Sequence, residues 1–263
     1  VSAMLVALAA AAVRTRVAPP ATLAIAITAL VFGFAAYLRA RFFVGPLGAD
    51  FYPFALFSSI VVVISALGAK PHRTGRMMSA GAGAAGGAVL AALAAFSREQ
   101  WHSIESWAPL FSTAAVLFAA AWHTARDVAE PRSDKAVALW AGAGAIMVLI
   151  GVESAFPASI RTVAHAGAAL LFVSGLLWRG WDVLRWATLT ATALTLAHAL
   201  SPSLIGATLA GDIPILGGVF ILIAAAALLF GASYLADRTA PRAIVGEALS
   251  GGAVVTLIIA VFL

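Results

Sequence analysis

Seven side chains in an otherwise greasy chain have types and spacings that could do chemistry. Glu153, Arg161, His165 and His198 form one group, and Trp101, His102 and Glu105 a second. Arg161 and His165 are four residues apart and so share one helix face. His198 stands one turn before Pro202, and Glu153 closes the apolar run that precedes Arg161. These groups are expected at one depth, near the outer surface of a membrane. A carboxylate with two imidazoles is a donor set for a transition metal, though without HExxH-type spacing. The two histidines, on neighbouring antiparallel helices, are also the axial pair a haem would use. For acyl or glycosyl transfer from a lipid carrier, Asp50, Glu99 or Glu105 would serve as base, with His102 as the alternative. The mixture of charge and indole around Trp101, His102, Glu105 and Trp107 suits a carbohydrate or a lipid headgroup.

A plainer account competes with all of these. Trp and His favour the headgroup region, and Arg161 can reach lipid phosphates along its own stem. No motif stands behind any chemical reading, so an interfacial polar cluster is favoured, with no catalytic residue, metal or cofactor expected. His72 and His123 fall on the opposite side and receive no role.

The elements that must position these residues follow from composition. Of 263 residues, 63% are hydrophobic and 10% charged, and the mean hydropathy is +1.03. Soluble surfaces need roughly 25 to 35% charged residues, so a soluble enzyme is excluded. The net charge of +5 raises nucleic acid as a partner. The basic residues lie in short breaks between apolar runs, however, where they orient a chain in a bilayer, and no nucleic-acid partner is expected. With no cysteine, disulfides, thiolate nucleophiles and Cys-ligated metals are all out.

Measured against the ~20 residues of a spanning helix, apolar runs fall near 2–13, 20–38, 51–69, 79–96, 107–125, 136–152, 159–178, 184–200, 213–235 and 243–263. The expectation is an all-α polytopic bundle of about ten spans in one transmembrane domain, 1–263, the first and last spans truncated. None of the alternating polarity of a transmembrane barrel is seen. Breaks after odd-numbered spans carry 12 of the 16 Lys and Arg, and the others carry 4. This bias places 14–19, 70–78, 126–135, 179–183 and 236–242 in the cytoplasm of an inner-membrane protein. Both ends of the chain open within apolar runs, which suggests part of a longer protein.

Small residues mark helix contacts in lipid. Gly83 and Gly87 make a GxxxG step in the fourth run, and Gly142 with Gly144, Gly217 with Gly218, and Gly246 with Ser250 and Gly251 offer the same. Pro20, Pro109 and Pro214 are read as first-turn residues, where a missing N–H costs nothing.

From Leu184-Arg185-Trp186, through Leu200-Ser201-Pro202 and Gly211-Asp212-Ile213-Pro214, to Pro241-Arg242 and Glu247-Ala248-Leu249, the last third of the chain resembles the bacterial polytopic membrane proteins grouped as domain of unknown function 2339. The resemblance implies a larger parent with further spans upstream. It brings no activity and no catalytic residue. The function expected is therefore a membrane scaffold or envelope-associated component, in contact with the bilayer and with other membrane subunits or flanking segments. The alternative is a transporter, or a lipid-linked glycosyl or acyl transferase, with an outward-facing polar cavity.

Overall fold

The computed structural model describes residues 73–96, 102, 104–237 and 243–263. Every regular element among them is helical: α1 (Arg73–Phe96), α2 (Ile104–Arg126), α3 (Lys135–Ala155), α4 (Ala158–Arg179), α5 (Val183–Ala199), α6 (Pro202–Leu209), α7 (Ile215–Asp237) and α8 (Ala243–Phe262). Six stretches are long and apolar enough to cross a bilayer: Ser106–Arg126, Lys135–Ala155, Ala158–Arg179, Val183–Leu209, Ile215–Asp237 and Ile244–Phe262. The described residues are thus all-helical, and the protein reads as membrane-embedded. Six such stretches stand where about ten were expected. The runs near 2–13, 20–38 and 51–69 lie outside the described residues, and the apolar part of α1, Ser79–Ala92, falls short of a span. The chain divides into two compact units, Val1–Ser154 and Ala155–Leu263.

In the first unit, helices start earlier than their apolar runs, because polar residues continue a helix beyond hydrocarbon depth. Pro109 therefore sits in the second turn of α2 and not the first, where it removes one intrahelical bond. Asp134 caps α3: its Oδ1 accepts from the backbone N–H of Ala136 at 2.9 Å and of Val137 at 3.1 Å, which satisfies two of the donors a helix start leaves over.

In the interior of this unit three aromatic rings are seated on glycines. Trp140, fully buried, lies over Gly83 so closely that a Cβ there would overlap its ring. Phe118 covers Gly144 and Phe111 covers Gly151, with an added Cβ meeting the rings at 3.2 Å and 2.9 Å. Phe111 to Phe118 and Gly144 to Gly151 are both heptad steps run in opposite senses, so the antiparallel α2–α3 pair repeats one contact two turns on. Gly87 instead meets Leu117 and Met147 at ordinary distances, 3.5 and 3.7 Å.

The second unit is organised around the α4–α5 hairpin. Gly180 ends α4 at φ 71°, and its N–H donates to the carbonyl of Leu176 at 2.9 Å. That left-handed turn suits glycine and lets α5 start at Val183 after three residues. Both helices bury many small residues: Thr162, Ala166, Ala168 and Ala169 on α4, and Thr188, Ala191, Thr192, Thr195 and Ala199 on α5. Small residues let helices approach closely.

Helices α7 and α8 pack against the hairpin and are joined by a hydrogen bond from Ser233 Oγ to the carbonyl of Gly246, 3.0 Å. Segment 201–212, which separates two of the apolar runs, holds α6, whose Leu204 is fully buried in one cluster with Ala199, Leu222 and Ala260. Pro202 at its first turn explains the start. At the turn end of the hairpin the Arg179 guanidinium lies 3.9 Å from the centre of the exposed Trp178 ring, and Arg185 lies 5.4 Å from Trp186. Arg-on-Trp pairs at helix ends belong to headgroup depth.

Candidate functional site

Helix rise explains why two histidines far apart in sequence meet. His165 lies about 21 Å along α4 from Arg179, and His198 about 22 Å along α5 from Val183, at ~1.5 Å per residue. With a three-residue turn between the helices, the two imidazoles reach the same height on neighbouring antiparallel rods.

Their rings are stacked, with centroids 5.3 Å apart and planes within 3° of parallel, and a ring nitrogen of one lies within 4.8 Å of a ring nitrogen of the other. His165 is fully buried. His198, in the last turn of α5, is half-buried. Rings stacked at this separation leave no slot for a porphyrin between them, since axial ligands address haem iron from opposite faces of the macrocycle.

Arg161 shares the first half of α4 with His165. Its Nε donates to the carbonyl of Phe156 at 3.0 Å, so the guanidinium is turned back onto the connection between α3 and α4. That bond satisfies an orphan carbonyl just beyond a helix end.

The remaining sequence candidates belong to the first unit. Glu153 lies half-buried in the last turn of α3. His102 is exposed, with φ 74°, and its backbone N–H donates to the carbonyl of Ser154 at 2.7 Å. It closes the end of α3 in a left-handed conformation for which histidine is among the enriched types. Glu105 lies in the first turn of α2, but its side chain, like Trp101, is outside the described residues.

One residue near the histidines was not anticipated. Thr162 is fully buried and its hydroxyl has no hydrogen-bond partner. The other buried threonines of this unit behave differently. Thr188, Thr192, Thr195, Thr208 and Thr256 each donate to the carbonyl four residues earlier, at 2.7 to 2.9 Å. Thr162 precedes His165 by three residues, hence by one turn on one face. That spacing was readable in the sequence, but nothing there told this hydroxyl from the others.

No family model, no curated protein and no solved structure matches this chain.

Proposed function

We propose that this protein is a multi-pass scaffold of a bacterial inner membrane, kin to the domain of unknown function 2339 group, with its Arg-bearing turns in the cytoplasm. The observation that carries the reading is how the second unit spends its buried hydroxyls. Five of them are bonded to carbonyls of their own helices. A hydroxyl whose one proton is donated within its own helix offers a polar solute lone pairs alone, whereas a route needs donors as well as acceptors aimed into it.

The outer faces favour lipid in the same way. Leu216, Phe220, Ile223 and Phe230 of α7 and Val254, Ile258 and Val261 of α8 are all exposed, which costs little in hydrocarbon and much in water. The resemblance in the last third supports kinship, and the threefold excess of Lys and Arg in alternate connections supports the orientation.

The test is complementation of a deletion strain by the Arg161→Ala, His165→Ala and His198→Ala variants. A scaffold keeps its cellular role in each variant that reaches normal abundance in the membrane. Loss of that role in all three at normal abundance would overturn the proposal in favour of a chemically active outer cluster.

A further inference from the structure

We infer that His165 and His198 are ligands to a divalent transition-metal ion of the class imidazole favours, zinc or copper(II), with the Thr162 hydroxyl holding a ligand of that ion. The inference stands apart from the scaffold reading, since a scaffold can carry a metal or lack one.

Three observations carry it. First, the hairpin brings two imidazoles to one height with ring nitrogens within 4.8 Å. In a tetrahedral complex with bonds near 2.0 to 2.1 Å, ligating nitrogens stand roughly 3.3 Å apart, so a small movement closes the gap. Second, the burial is unequal in a useful way. Imidazole lone pairs lie in the ring plane, and stacked rings do not aim at a common point. His165 is fixed by full burial, whereas His198, half-buried in the last turn of α5, can turn about χ2 to bring its nitrogen onto the same centre. Third, Thr162, one turn from His165, keeps a buried hydroxyl out of the self-bonding used by its fellow threonines. A metal-bound water is a partner of the right kind for it, in the outer-shell role that orients ligands. Two imidazoles leave positions open on the ion, so such water is expected.

The test uses the full chain, purified in detergent and stripped of metal, titrated with copper(II) and followed by affinity and electron paramagnetic resonance. The expected result is one tight ion per chain with hyperfine coupling to two nitrogens. His165→Gln and His198→Gln each leave one coupled nitrogen and weaken binding by tenfold or more. Thr162→Val keeps both nitrogens and weakens binding by about tenfold. His123→Gln, a control at a histidine of the first unit, keeps wild-type affinity and spectrum. His198→Gln lies at a helix end, and unchanged elution and helicity certify its fold. Less than one tight ion per wild-type chain overturns the inference. So does wild-type affinity and spectrum in both glutamine variants, which would place copper elsewhere.

Discussion

The two units both bring helices together by dispensing with side chains, yet what meets their glycines differs. In the first, large apolar rings enter the gaps: Trp140 over Gly83, Phe118 over Gly144 and Phe111 over Gly151. In the second, Thr and Ala take many of the buried positions of α4 and α5 beside Phe172 and Leu176, and Gly252 faces the Thr192 methyl group. Rings on glycines define a shape and nothing else. Small polar residues define a shape and also leave room for groups that can bind or exchange protons. The stacked imidazole pair, one ring buried and the other half-buried, lies in the second kind of interior, which indicates where chemistry is compatible with close packing in lipid.

The sharpest way to break this comparison is Gly83→Ala. The new methyl would overlap a fully buried indole in a helix interior, and a loss of about 3 kcal/mol or more is expected, read as a fall in the melting temperature of the detergent-solubilised protein. Gly151→Ala places a Cβ 2.9 Å from the Phe111 ring, and about 1 to 2 kcal/mol should be lost. In the second unit Gly252→Ala meets the Thr192 Cγ2 at the same 2.9 Å, at a cost of about 1 kcal/mol. Here Thr192→Ser removes only the offending methyl, so the double variant should recover wild-type melting. If it does not, the second unit is as rigidly keyed as the first and the contrast fails.

Asp134→Ala removes a cap of two backbone donors and should cost about 1 kcal/mol. Smallest of all is Gly87→Ala, whose Cβ meets neighbours at ordinary distance. A change within about 0.5 kcal/mol is expected, offset by better helix propensity. Equal losses from Gly83→Ala and Gly87→Ala would show that ring seating is not what distinguishes the two positions.

Those two glycines also show how far the sequence could be read. Their spacing marks a helix contact, but spacing is blind to the partner, and only one faces an indole. The α2–α3 ladder left a trace in its matched heptads, Phe111 with Phe118 and Gly144 with Gly151. It was obscured because glycine and alanine are abundant throughout the chain. Helix class and most apolar runs were legible because period and length are local properties. Polar first turns were not, since an apolar scan ends where hydrocarbon depth ends, and α1 and α2 both begin earlier. The eight-residue α6 was hidden in a segment whose Ser, Pro, Gly and Asp suggest a loop. At the candidate site, a face shared by Arg161 and His165 was readable from spacing, but not the turn of Arg161 toward Phe156. The approach of His198 to His165 needed only the two distances from Gly180. The separate behaviour of Thr162 depends on a rotamer and could not have been read.

The Arg–Trp pairs beside Gly180 have a mechanical consequence. Trp178, Arg179, Arg185 and Trp186 moor one end of the hairpin at the water boundary, since indole and guanidinium both resist moving into oil or away from it. A rod tethered at one end registers any thinning or thickening of the surrounding lipid at its other end. In this hairpin that far end carries the two imidazoles, so a change of membrane thickness is expected to be felt at their end.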